Sequence, residues 1–415
     1  MERASAERVR WSTDTSFEAS KEASALAREA RKSGEFELAI TFASDALIVW
    51  PGNTFLIGPL SWALYDRDIK SASEVPTRAE ALTAARAARR ILDLNIDSLY
   101  EQYSAAPTAL LKTAKILVAQ DQYEKAIAVL DALNPTRLSN EQTNPDFPGH
   151  REQWHLRMTK ALLGAEHWER TIDVANDALA SASVSQRNRF WIEWRQAKAQ
   201  HCLGHYDQAQ PTLTRLVQMK RDYYLGELLA LNMEALGLVE EAIVTAKQVL
   251  AAPGPGDLAS RYKTLCLLGR LLADSSPEES IKYFMLVSKL REEHGWQKDQ
   301  DVESHIQGHN EHSSNSALEL ESMIRPTWGG ILAPETGVVP ATGERISGTV
   351  VKHLNEGAGF IKPDNEIDQL YFSIKPGSSE KLPPVGSKVS FIKGKKFDQK
   401  KQRESTAAFK VRVED

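Results

Sequence analysis

The chain has 415 residues, 42% of them hydrophobic and 26% charged, with a formal net charge of −5; this balance excludes a disordered chain and predicts two or three globular domains. Its two cysteines, Cys202 and Cys266, exclude a disulfide framework or a zinc ribbon and read as small buried hydrophobes. No apolar run reaches signal-peptide or membrane-spanning length, so a soluble, cytoplasmic protein is expected.

Charge is unevenly distributed. From Ile346 onward there are 13 Lys/Arg against 9 Asp/Glu, which leaves 38 against 47 for the first 345 residues. An acidic body with a basic tail predicts nucleic-acid contact at one end only.

After an N-terminal extension over 1–19, the pattern from 20 to 295 is helical and one signature recurs. A turn residue is followed by an aromatic or apolar residue, then by Ala and Ile a helical turn on. Copies are Gly34-Glu35-Phe36 with Ala39 and Ile40, and Asp121-Gln122-Tyr123 with Ala126 and Ile127. Trp168 follows with Thr171 and Ile172, Gly204-His205-Tyr206 with Ala209, Gly237-Leu238-Val239 with Ala242, and Pro277 with Ser280 and Ile281. A degraded copy surrounds Ala84, Ala88 and Leu92. The Gly or Asp turns the chain between two helices, and the small residues let neighbouring helices approach closely. This pattern resembles the tetratricopeptide repeat, which implies about seven antiparallel helix pairs stacked into a superhelix with a protein-binding groove.

Two stretches of this region carry further readings. Trp191, Trp194, Lys198 and His201 fall at positions that often face the repeat groove, where they would clasp a partner peptide or helix; packing between units is the competing reading. The segment Pro59 to Lys70, with Trp62, Tyr65, Ile69 and Lys70, is similar to segments of bacterial tetratricopeptide proteins of anti-phage conflict systems, some of which also carry an S1/cold-shock-like domain.

Periodicity fails over 296–345, which reads as a linker with one helix near Ala317 to Ile324. His305, His309 and His312 have a spacing that would suit a metal on a helix, but Gly308 and the polar flank favour a solvated linker and no metal or other cofactor is expected.

The tail, 346–415, changes character. Strand-like runs occur at Ile346–Lys352, Gly357–Asp364, Leu370–Ile374, Lys388–Ile392 and Ala407–Val413, as a small five-stranded barrel needs. A basic loop is expected between the last two, with Lys393, Lys395, Lys396, Phe397, Lys400, Lys401 and Arg403. The tail resembles a cold-shock or S1-like domain of the OB class. Glu356-Gly357-Ala358-Gly359-Phe360-Ile361 stands for the family's first nucleic-acid motif and Leu370-Tyr371-Phe372-Ser373-Ile374 for the second. The resemblance implies base stacking on Phe360 and Tyr371. Ala358 and Ser373 replace a Phe and a His, and Lys352 and His353 lie near the position of a missing Trp. Lys362 and the basic loop would track phosphates.

The expected fold class is multidomain α plus β: an all-α, tetratricopeptide-like superhelical solenoid followed by a five-stranded OB-type β-barrel. No phosphate-cradling loop or nucleophile elbow occurs. The expected function is therefore a non-enzymatic adaptor, binding a protein through its repeats and single-stranded nucleic acid, RNA before DNA, through its tail. A pure protein-interaction scaffold, or a component of an anti-phage system, is the alternative.

Overall fold

The computed structural model describes residue 11 and residues 14–101, 104–141, 148–181, 184–220, 222–251, 258–307, 309, 315–329, 345–355, 358–364, 369–373, 382–398 and 403–413. The chain divides into two compact units, Met1–Thr212 and Leu213–Asp415.

The first unit is built from helix hairpins. They are α1 (Phe17–Lys32) with α2 (Phe36–Val49), α3 (Thr54–Tyr65) with α4 (Arg78–Leu94), α5 (Ala106–Ala119) with α6 (Tyr123–Asp131), and α7 (His150–Gly164) with α8 (Trp168–Ala180). Helix α9 (Gln186–Cys202) packs on α7 and α8, and α10 (Tyr206–Met219) follows it. Their contact surfaces are made of small residues: Ala39, Ala43, Ala81, Ala84, Ala88, Ala109, Ala114, Ala126, Ala161 and Ala175 are all fully buried. Side chains this small let helix axes come close without leaving voids.

Apart from the α3–α4 connection, the turns between paired helices in this unit share one geometry. Gly34, Asp121, Glu166 and Gly204 all adopt positive φ, at 80°, 53°, 62° and 79°. This is the left-handed residue that ends the first helix of the pair and lets the second start antiparallel to it. The expected turn signature is met at Gly34, Asp121 and Gly204; Glu166 fills the same role without any sequence signal for it. The degraded second copy is a full hairpin whose first helix ends in a π-helical turn, Asp66–Lys70. Its second helix opens on a capping box, in which Glu80 accepts from the Thr77 backbone and its carboxyl is held down to about 2 by those bonds.

The 1–19 extension is not merely a tail. Trp11 is completely buried and meets Phe42 and Trp50 edge-to-face, so it closes the apolar end of the first hairpin.

In the second unit, α11 (Tyr223–Ala235) pairs with α12 (Val239–Ala251), and α13 (Tyr262–Leu272) with α14 (Pro277–Glu293). Gly269 permits this last contact, because a Cβ there would lie 2.8 Å from the Phe284 ring. The linker reading of 296–345 needs correction. It holds α15 (Gln300–Ile306) and α16 (Ala317–Gly329), both packed on α14, with Val302, Leu320, Ile324 and Trp328 buried in the same core. Trp328 donates its indole N–H to the Tyr283 hydroxyl at 2.9 Å. His305 stacks on Phe284 with ring centroids 4.1 Å apart. His312 lies outside the described residues, and no metal-holding group of side chains occurs among those described. The helix expected near Ala317 to Ile324 is present as α16; α15 was obscured because it is short and has few apolar residues.

The tail is a five-stranded sheet: β1 (Arg345–Asn355), β2 (Ala358–Pro363), β3 (Leu370–Ser373), β4 (Lys388–Asp398) and β5 (Arg403–Val413). Antiparallel pairing joins β1 to β2, β2 to β3, β1 to β4 and β4 to β5, with one parallel bridge, Tyr371 to Ala407, between β3 and β5. Val350, Ile361, Leu370, Phe372, Val389, Phe391 and Ala408 form its core. Gly359 lets β2 lie flat on β1, since a Cβ there would be 2.6 Å from the Lys352 carbonyl oxygen. No helix among the described residues is long and apolar enough to cross a membrane.

The left-handed turn position makes a direct test of the hairpin geometry. Glu166→Gly is expected to stabilise the chain by about 1 kcal/mol, because an L side chain in this conformation is strained. Gly204→Ala is expected to destabilise it by a similar amount. Opposite shifts of the urea unfolding midpoint check this; shifts of the same sign would refute it.

Candidate functional site

Two surfaces collect the residues singled out by sequence. The first lies on the sheet. Cross-strand register places Lys352 beside Phe360 and Phe360 beside Tyr371, and continues through Ala407 to Gly394. Along β2, Ile361 is buried while Phe360 is half-exposed and Lys362 exposed, so Phe360 and Lys362 share the outer face. Phe360 meets Tyr371 edge-to-face at 6.0 Å, and the Lys352 ammonium lies 5.0 Å from the Phe360 centroid. Lys352, Phe360, Lys362 and Tyr371 thus form one patch: two half-open rings flanked by two cations. A base could stack there while its phosphate meets a lysine.

His353 does not join this patch. It stands in the next row, opposite Gly359, and its Nε2 lies 2.8 Å from the Pro383 carbonyl oxygen.

The basic loop is corrected to a strand ribbon. β4 continues to Asp398 and β5 begins at Arg403, with Lys393 opposite Ala408, Lys395 opposite Thr406, Lys396 opposite Ser405 and Phe397 opposite Glu404. Gly394 and the lysines have low strand propensity, which concealed the continued pairing. Lys393 is exposed. Lys400 and Lys401 lie outside the described residues.

The second surface lies on the first helices of three successive hairpins. In α5 the only residues not buried are Thr108, Lys112, Lys115 and Ala119, one narrow strip. Counting from the turn-to-second-helix signature, the same register holds Gln153, Arg157, Lys160 and Gly164 on α7, and Trp191, Arg195, Lys198 and Cys202 on α9. Trp191 and Lys198 therefore belong to the strip. Trp194 sits beside it, meeting Trp191 edge-to-face at 6.1 Å and carrying the Lys198 ammonium 5.7 Å from its centroid. His201 is turned away onto Tyr206, 5.3 Å between ring centroids. Cys202 is exposed at the end of the strip, which corrects the buried reading; Cys266 is half-buried, its thiol pushed up to about 11 mainly by burial.

Sequence reading missed Lys112, Lys115, Arg157, Lys160 and Arg195. The signal was present: the offset between repeats places each pair of cations on the next, but only once the hairpins are in register. Two histidines share the α7 region. His150 contacts the Thr108 hydroxyl at 3.2 Å, and His155 is buried. Both are held below the ordinary 6.5, chiefly by burial, and His150 further by Arg157.

No protein-family model matches the chain, and no curated protein matches it. Among solved structures it is similar to a tetratricopeptide repeat protein from Parabacteroides merdae ATCC 43184, at 16% identity and a TM-score of 0.33, over 73% of this chain and 98% of that one. So loose a superposition lends no weight to the fold, which stands on the register of the hairpins themselves.

The histidines predict a pH dependence. The folded chain favours both imidazoles neutral, so the unfolded chain binds more protons as pH falls through about 6.5, and stability drops on acidification. The urea midpoint is expected to fall between about pH 7.5 and pH 5.5, with a shallower fall in the His150→Gln/His155→Leu chain. An equal slope in the double variant would assign the effect to other groups.

Proposed function

We propose that this chain is a non-enzymatic adaptor. Its helical hairpins hold a protein partner, and its tail is an OB-type barrel that holds single-stranded nucleic acid, RNA before DNA. The observation that carries the second half is the outer row Lys352–Phe360–Tyr371, with Lys362 beside it. The strand order β1-β2-β3-β5-β4, with β4 returning to β1, supports a closed barrel, the architecture on which such faces are built. The basic ribbon at Lys393–Arg403 adds positive charge on β4 and β5, next in order to β3.

Two rings make a small platform. Each stacked base contributes roughly 1–3 kcal/mol, so binding is expected to be weak, tolerant of sequence and dependent on salt. The hairpins support the protein half, because stacked helix pairs expose long continuous faces to a partner.

The competing reading is a scaffold whose tail also binds protein. The existing cover on Phe360, with Lys352 on its face and Tyr371 at its edge, favours it.

Fluorescence anisotropy of oligo-U and oligo-dT at several salt concentrations separates the two. Changing Lys395, Lys396, Lys400 and Lys401 together to Gln is expected to lower affinity and flatten the log–log salt slope by about two to three units. Phe360→Ala is expected to weaken binding by about 1–3 kcal/mol with the slope unchanged. A chain that ignores both oligonucleotides at low salt would leave the scaffold reading standing.

A further inference from the structure

Helices α5, α7 and α9 are neighbours, α5 against α7 and α7 against α9, and each carries two cations three residues apart on the same strip. They are Lys112 and Lys115, Arg157 and Lys160, Arg195 and Lys198. We propose that this ladder is the docking site for an extended acidic peptide segment of a partner protein, its carboxylates repeating about every third residue. The proposal rests on the reading of the hairpins as a protein-docking surface and names the chemistry that surface selects.

The ladder is not neutralised from within. None of the six cations forms an ion pair among the described residues. Glu74 acts on Lys112 and Asp121 on Lys160, but neither makes an ion pair with it. One hairpin earlier, in the π-helical turn that ends α3, Arg67 and Lys70 are neutralised, the first by Asp68 and Glu37 and the second by Asp66. The contrast limits the free charge to three rungs.

These cations are held at a cost. Arg195 is 9% exposed; it donates to the Leu156 carbonyl and to the Thr159 hydroxyl, while its buried Nε has no partner. Arg157 is crowded by protein and yet keeps part of its surface in solvent, as a residue on a groove floor does. Burial holds both guanidinium groups down to about 10. Lys112 is lowered by burial and then by Lys115 and Arg157, and Lys160 by burial and then by Arg195. An anion that enters the strip relieves this repulsion, and the guanidinium fork fits a carboxylate on two oxygens.

Spacing selects the occupant. Packed helix axes lie about 8–10 Å apart, so the rungs repeat at that interval. An extended polyproline-like segment brings every third side chain to the same side at about 9 Å. Nucleic acid fits less well: the strip positions on α5 and α7 include no aromatic on which a base could stack.

The test uses the full chain and a fluorescent peptide of about twelve residues with Glu at every third position and Pro-Ala between, against its Gln counterpart. At about 50 mM salt the Glu peptide is expected to bind, and the Gln peptide to bind at least about tenfold more weakly. Lys115→Glu/Lys160→Glu/Lys198→Glu changes only partly or fully exposed side chains; with its helical circular dichroism intact, it is expected to lose at least about tenfold, and Arg157→Gln a smaller factor. Lys125→Glu, on α6, and oligo-U binding by the tail are expected to be unaffected. Equal binding of the two peptides, or full binding by the triple variant, overturns the proposal. So does a loss of oligo-U binding in the triple variant, which would assign the strip to nucleic acid. If a partner protein binds wild type and triple variant alike while the Glu peptide binds neither, the ladder is refuted and the docking reading survives.

Discussion

Close approach of neighbouring helices at alanine is the constraint on which the helical part depends. Fully buried alanines line most of the hairpin contacts, and a larger side chain at any of them would force axes apart that have no slack to absorb it. That requirement occupies most of the surface of α5. What it leaves over on α5 is a strip one residue wide, and in three consecutive hairpins that strip carries positive charge. Packing and binding are therefore divided by helical phase: the alanine faces hold the stack together, and the remaining phase is free to carry chemistry.

The sheet obeys a similar rule at smaller scale. Gly348 and Gly359 bring β1 and β2 so close that a methyl group at either would meet a carbonyl oxygen of the opposite strand. The tight contact turns Ile361 inward and Phe360 outward, and register then aligns Phe360 with Lys352 and Tyr371. The aromatic patch is thus a consequence of backbone packing at glycine as much as of the rings themselves.

The helical hairpins were legible because their signals are local and repeated: a turn residue, a ring, and alanine a turn later. The strand runs were legible from alternation. Other features depend on partners distant in sequence. Trp11 reads as one aromatic in a polar extension until Phe42 and Trp50 close around it. Trp328 follows a proline in a polar segment, and only Tyr283 explains its burial. The ribbon beyond Ile392 has little apolar alternation in its sequence, so backbone pairing alone defines it. The cation ladder was hidden because its members lie 38 or 45 residues apart in the sequence, and no window of ordinary length contains two rungs.

Helix α16 has a consequence for the second unit. In a stack of like hairpins each pair touches only its neighbours. Here α16 lies across α14, pinned by Leu320, Ile324 and Trp328, and it also reaches α12. One helix thereby clasps the second helices of the α11–α12 and α13–α14 hairpins, so neither can shift against the other without disturbing the buried Trp328–Tyr283 contact.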